Sequence, residues 1–342
     1  MKISRTGEVS NHNIYQIHPI SMSTLLPVSA LLPTRNRSVS LWKMLNSLAK
    51  QPVQPVEMIL VDGSTTDETK QLCHTIISGL ATQIIYHPAI EVGAASQRNQ
   101  AMSYASQDTI WLLDDDIIFE SDCLKRLWIA LDSDPELGGV NAMISNQRYL
   151  PPGRVSRLLF QFLHGRPEVS YAGKCIGPAL NLLPEDHPEL PEVVPVEWLN
   201  TTCTLYRRKV LPQPLFPSHF TGYSLMEDVT LSLIVGKRWK LANVRTARIF
   251  HDSQPGDHKS NPMKLAKMDL VNRHYVMTCV LNRRQPMDYL KLTVLQLFGI
   301  AVSLVSVQGW LSLPAMLLGK MGAIKEIILT GYSATGKTGN EV

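Results

Sequence analysis

A chain of 342 residues with 44% hydrophobic and 18% charged side chains can bury a full globular core, and its length suits one large domain with an appendage, or two domains. A formal net charge of +4 and a pI near 8.7 are too weakly basic to argue for nucleic acid, yet compatible with an anionic substrate or an anionic membrane surface. Five scattered cysteines, odd in number and without a CxxC pair, argue against a disulfide framework or a zinc site and favour a reducing cytosol.

Residues 1–24 are polar, include His12 and His18, and lack the apolar stretch of a signal peptide, so a flexible leader is expected there. From residue 28 to 142 short β-rich runs alternate with longer helical ones, the pattern of an α/β fold with an open, mostly parallel sheet. Strands are predicted at 28–32, 56–61, 83–86, 109–113 and 139–143, with helices at 38–50, 66–80, 94–106 and 122–131. Such sheets bind ligands beyond the carboxyl ends of their strands, which directs attention to the turns.

After the first strand comes Pro33-Thr34-Arg35-Asn36-Arg37, a polar and basic turn leading into a helix. The second strand ends in Asp62-Gly63-Ser64-Thr65-Thr66-Asp67, where Asp62 can accept hydrogen bonds from a base or ribose. Behind the fourth, Asp114-Asp115-Asp116 stand inside a run of apolar, strand-forming residues. Three carboxylates at a strand end need a counter-charge, because burying even one unpaired carboxylate is prohibitive. Oxygen ligands in that position suit Mg²⁺ or Mn²⁺ carrying a substrate diphosphate. Capping of the next helix explains one aspartate, hardly three.

Residues 145–195 hold eight of the 22 prolines (Pro151, Pro152, Pro167, Pro178, Pro184, Pro188, Pro191 and Pro195), so a long irregular excursion on the acceptor side is expected in place of helix or central strand. Order is expected to resume at 196–206, followed by a helix at 227–237 and a strand from Lys240 that ends at His251. Between Lys291 and Lys320 lie 28 residues without charge, flanked by Arg283, Arg284 and Lys325. Gln296, Gln308, Gly309 and Pro314 interrupt them, which favours two short apolar helices in the cytoplasmic leaflet over one clean span. A helical hairpin packed on the rest of the chain, or on a second subunit, is the soluble alternative.

The order Leu32-Pro33-Thr34-Arg35-Asn36-Arg37, Val61-Asp62-Gly63-Ser64, Arg98-Asn99, Asp114-Asp115-Asp116, Glu227-Asp228 and His251 resembles family 2 glycosyltransferases of the GT-A fold. That resemblance implies a Rossmann-like sheet flanked by helices and an inverting, metal-dependent transfer of a sugar from a nucleotide diphosphate donor (UDP-, GDP- or dTDP-linked). The acceptor is expected to be a hydroxyl, of a growing polysaccharide or, on the apolar C-terminal region alone, of a lipid-linked saccharide. Asp114 and Asp116 would form the DXD motif and hold Mg²⁺ or Mn²⁺ together with His251. Asp115 would face the donor sugar or a supporting partner, while Pro33, Thr34, Arg35 and Asp62 would hold the nucleoside. Arg98 would pair with a phosphate or orient Asp62, unless it is a solvated helix residue. Asp228 would be the base that takes the acceptor proton, with Glu227 and Trp198 on the acceptor side. His258 and Lys259 are weaker candidates.

The expected organisation is a flexible leader at 1–24, a nucleotide-sugar half at 25–145, an acceptor half at 146–285, apolar helices at 286–332 associated with the cytoplasmic face of a membrane, and a flexible tail at 333–342. A nucleotidyltransferase acting on a sugar phosphate is the rival enzyme class. The glycine-rich loop it needs after the first strand is absent from 33–37. A non-catalytic membrane-bound module that binds nucleotide sugars is the third possibility.

Overall fold

The computed structural model describes residues 24–75, 77–254 and 261–330; His258, Lys259, residues 1–23 of the expected leader and the expected tail lie outside them. In chain order the strands are β1 (Thr24–Thr34), β2 (Val53–Asp62), β3 (Gln83–Pro88), β4 (Thr109–Leu113), β5 (Ile117–Phe119), β6 (Leu137–Ile144), β7 (Cys175–Ile176), β8 (Leu180–Asn181), β9 (Val193–Val196), β10 (Cys203–Arg207) and β11 (Lys240–His251). The helices are α1 (Ser38–Ala49), α2 (Glu68–Cys73), α3 (Ala94–Tyr104), α4 (Cys123–Ser133), α5 (Arg154–His164), α6 (Glu227–Val235), α7 (Pro262–Tyr275), α8 (Pro286–Ser303) and α9 (Val307–Thr330).

One sheet dominates, in the order β3-β2-β1-β4-β10-β6-β11-β5, with β9 beside β11. Strands β1 to β4 pair in parallel, as the alternation with helices predicts. Period-two geometry divides their apolar residues between two layers. Ala30, Leu32, Trp111 and Leu113 pack with Leu41 and Leu45 of α1 and Leu124 and Leu127 of α4. Leu31, Ile110 and Leu112 turn the other way, onto Ala101 of α3 and Val229 of α6. Burial on both faces explains why β1, β2 and β4 read as nearly continuous apolar runs.

Apart from the small β7-β8 sheet, the second half of the chain joins the main sheet. Strand β10 inserts antiparallel between β4 and β6, and β11 pairs in parallel with β6. A register shift between Val244 and Arg248 bends β11, so that its first half meets β9 and its last three residues meet β5. His251 thereby stands opposite Ile117, one residue beyond the aspartate triplet.

Two predicted segments differ. The second helix ends at Cys73, well short of residue 80, because buried Gln54 of β2 binds the following backbone directly: its amide donates to Gly79 O (2.8 Å) and its carbonyl accepts from Ala81 N (2.8 Å). In the proline-rich stretch the prolines border a regular helix instead of preventing one. Helix α5 fits between Pro152 and Pro167, and Leu159 and Leu163 on its inner side join Val294, Leu295 and Phe298 of α8.

At the C-terminus α8 and α9 form a hairpin. Helix α9 lies on α7, where Leu270, Val271 and Ala323 share a small core with Leu292 of α8, and Lys267 pairs with Glu326 at 2.6 Å. Gly319 makes the approach possible, since a Cβ there would collide with the Met263 carbonyl of α7. Among the described residues no helix is long and apolar enough to cross a membrane.

Candidate functional site

The carboxyl ends of β1 and β4, the start of α3, the loop before β10 and the start of α6 enclose a cleft of about 660 Å³. Its floor is the triplet. The Asp114 amide donates to Thr202 O (3.1 Å), which fixes the backbone where β4 gives way to β5. Asp115 and Asp116 are almost fully buried, at 4% and 6% exposure. Alternate side chains then diverge. Asp115 accepts from Thr34 Oγ1 (2.7 Å) and Arg37 Nη1 (3.0 Å). Asp116 faces His251 Nε2 at 3.0 Å and also meets Arg37 at 3.3 Å. Asp114 pairs with the guanidinium of Arg98.

Asp114, Asp116 and His251 bring one ligand atom each to within 4.8 Å of one another. Two carboxylate oxygens and an imidazole nitrogen form a donor set that suits Mg²⁺ or, better, Mn²⁺. His251 is oriented from behind, where Gln147 Nε2 lies 3.3 Å from its Nδ1 and Asn146 binds its backbone on both sides.

Electrostatics separate the acidic groups. Burial acts to raise Asp116, but the hydrogen bond and charge of His251 outweigh it and hold the carboxyl below its usual range. For Asp115 burial prevails over Arg37 and Thr34 and pushes it up to about 6. At the opposite wall, Glu227 and Asp228 open α6. Burial drives Asp228 up to about 6, against the lowering effect of the Val229 amide at 2.7 Å. Glu227 is driven well above its usual range by burial and by its neighbour Asp228, with Arg98 only partly compensating.

Arg98 ties these walls together. Only 2% exposed, it contacts Asp114 and lies 3.7 Å from Glu227, so it reaches neither solvent nor Asp62. The sequence-based alternatives of a solvated residue and a partner for Asp62 are both corrected: α3 starts at the rim and aims its first turn across the cleft. Asp62 sits at the end of β2 but its carboxylate is engaged locally, accepting from Ser64 N (2.8 Å) and Tyr86 OH (3.2 Å), and it does not line the cleft. Pro33, Thr34 and Arg35 do line it.

Trp198, expected on the acceptor side, does not line the cleft. It is 7% exposed within the core, and its indole N–H donates to Leu182 O at 2.7 Å. A tryptophan followed by Leu199 in a segment that returns to the sheet belongs to packing. Arg37 was the residue that sequence reasoning missed, although the doubly basic turn signalled it. Tyr223, Thr201 and Thr202 also line the cleft, with no sequence signal of their own. Gly222, at φ +61, lets the loop before α6 close against the start of α3, where Ala94 N donates to Gly222 O (3.1 Å).

Residues 29–170 match the model of a family described as glycosyl transferase family 2. A PGL/p-HBAD biosynthesis glycosyltransferase of Mycobacterium bovis (strain BCG / Pasteur 1173P2) is 31% identical over 140 residues, 39% of this chain and 54% of that protein. The matched segment thus spans about half the length of this curated relative. The O-antigen chain rhamnosyltransferase WbaN of Salmonella anatum is 28% identical over 112 residues, 32% of this chain and 34% of that one. Among solved structures, the mannosyltransferase PcManGT from Pyrobaculum calidifontis in complex with GDP-Man and Mn²⁺ superposes with a TM-score of 0.50 at 14% identity, covering 90% of this chain and 88% of that one. That likeness concerns the fold, and the fold is GT-A.

Proposed function

From the match of residues 29–170 to glycosyl transferase family 2, we propose that this chain moves a sugar from a nucleotide diphosphate donor to an acceptor hydroxyl with inversion. The observation that carries the proposal is the convergence of Asp114, Asp116 and His251 on one side of a cleft that presents Asp228 on the other.

Asp114, Asp116 and His251 would hold Mg²⁺ or Mn²⁺, which supplies stabilisation for the charge developing on the two phosphates of the leaving nucleoside diphosphate. Arg37 keeps the buried Asp115 and Asp116 oriented, and Arg98 fixes Asp114 relative to Glu227. Thr34 donates to Asp115 and shapes the donor side with Pro33 and Arg35. Asp228 takes the proton of the acceptor hydroxyl as its oxygen bonds to the sugar C1 and the C1–phosphate oxygen bond breaks. A carboxyl raised to about 6 is a stronger base than an ordinary aspartate and is still ionised at neutral pH. One base and one direct displacement invert the anomeric centre. The acceptor is proposed to be a saccharide or lipid-linked saccharide of polysaccharide or glycolipid assembly, and the enzyme to work at the cytoplasmic face of a membrane.

The test is a thermal-shift panel of UDP, GDP and dTDP with their sugar derivatives, each with and without Mn²⁺. Stabilisation by one nucleotide that depends on the metal, and that Asp116→Asn removes, is expected. A well-folded protein that responds to no member of the panel would refute the donor assignment.

A further inference from the structure

The C-terminal hairpin leaves a long apolar stripe uncovered. On α9, Trp310, Leu311, Leu317, Leu318, Met321 and Ile328 are all exposed, and their i, i+3/i+4, i+7 spacing puts them on one side of the helix. The opposite side, with Gly319 and Ala323, is the one packed on α7. From Val307 to Leu329 the stripe runs about 33 Å at the helical rise. Helix α8 adds exposed Leu290 and Leu297 at the same i, i+7 spacing. Isolated surface leucines are ordinary, but a continuous stripe of this length marks an interaction surface.

Helix α5 extends it. Its inner side is buried on α8, and Lys291 of α8 donates to Leu163 O at 2.9 Å, so the two helices lie side by side. Its outer side presents Val155, Leu158 and Phe162, again at i, i+3 and i+7, with Val155 71% and Leu158 68% exposed. Arg154 and Arg157 stand exposed beside them. A helix with an apolar stripe turned outward and arginines along its border has the distribution of one that lies in an interface.

Charge decides the occupant. The three helices carry only two acidic residues, Asp288 and Glu326. Asp288 accepts from the Gln285 backbone in the cap of α8, and Glu326 is paired to Lys267. Arg154, Arg157 and Lys325 remain exposed at or beside the stripes. Two copies of this chain meeting face to face would set those cations against each other, whereas an anionic lipid surface complements them. Trp310, 60% exposed, is the side-chain type favoured at the headgroup level.

We propose that α5, α8 and α9 together form one membrane-docking facet that lies in the surface of an anionic bilayer without crossing it. Helix α5 falls in the segment proposed as the acceptor half, so the facet would tie that segment to the lipid surface. The proposal deepens the acceptor assignment made above and rests on it only for the purpose of docking; its readout is lipid binding, so either can fail without the other.

Full-length protein is sedimented with vesicles of phosphatidylcholine alone and of phosphatidylcholine with phosphatidylglycerol. Binding to the second, weakened by added salt, is expected. Leu158→Glu with Phe162→Glu should lower the bound fraction about tenfold, as should Leu311→Glu with Leu318→Glu, because each pair places two charges in the interface. Arg154→Gln with Arg157→Gln, which alters only exposed side chains, should weaken binding to the anionic vesicles alone. Ile129→Glu, exposed on α4 away from the facet, should change nothing. Circular dichroism and the nucleotide thermal shift confirm that each variant is folded. Absence of vesicle binding by the folded parent, or binding indifferent to both glutamate pairs, overturns the proposal. So does a dimer in solution that the same substitutions disperse, since a second copy would then cover the facet.

Discussion

The cleft has two acidic walls built from the same residue type and brought to different electrostatic ends. Along the triplet, two guanidiniums and an imidazole approach from three elements: Arg37 from the turn after β1, Arg98 from α3 and His251 from the end of β11. Of these, His251 and Arg37, with the Gln254 amide, hold Asp116 below its usual pKa, so its carboxylate stays charged at neutral pH. At the start of α6, buried Glu227 and half-buried Asp228 stand side by side within the field of one buried arginine, and both are raised. A carboxylate surrounded by cations holds charge; a desolvated one beside another acid accepts protons. Environment, not residue type, separates the proposed metal ligand from the proposed base.

The largest effect should come from the charge-holding wall. Asp116→Asn is expected to cut turnover about 10³-fold and to abolish metal-dependent nucleotide binding, and near-normal turnover would show that the wall has no such role. At the other wall, Asp228→Asn is expected to lower kcat about 10²-fold or more while leaving donor affinity unchanged. Preserved kcat would break the base assignment. The same variant should also melt higher at neutral pH than the parent. A carboxyl raised from 3.8 to about 6 binds more protons when folded, so its stabilising contribution is full below about 4 and is lost as pH rises through 6. The amide removes a buried charge that works against folding.

The pH profile follows from the same shift. Activity limited by ionised Asp228 should fall about tenfold per unit below pH 6, and the low-pH limb should move when Arg98, which stands between the walls, is changed to Gln. A flat profile down to pH 4.5 would mean that proton transfer lies elsewhere. Away from the cleft only stability should respond. Gly319→Ala should cost about 1–3 kcal/mol, read as a lower denaturant midpoint, since α9 must move off the Met263 carbonyl. Trp198→Phe should cost about 1 kcal/mol through the lost bond to Leu182 O, with the acceptor KM unchanged; a raised KM would restore Trp198 to the acceptor site.

How much of this was visible in the chain depends on the range of the interaction. Strands β3 and β4 and helices α1 and α3 emerged nearly at their predicted bounds, while β1 and β2 begin three to four residues earlier than predicted; their existence and order were legible because apolar runs followed by polar turns are local signals. Helix α2 stopped early because Gln54, far back in the chain, took over the following backbone. The proline count misjudged 145–195 since proline density carries no information on where prolines fall relative to a helix of 11 residues.

By itself, the amino-acid sequence determined the parallel sheet, the strand-end position of the aspartates and the acidic pair opening α6, all written in residues that are neighbours along the chain. Only the tertiary structure decided that Arg98 belongs to Asp114 and Glu227 and not to Asp62, that Arg37 neutralises the triplet, that Trp198 is core, and that α5 lies beside α8. Those contacts join segments whose approach is set by sheet order and by the bend in β11. A charge or an indole reads the same in the chain whether it ends at a cleft wall or in a core; what it meets is fixed when the layers close around it.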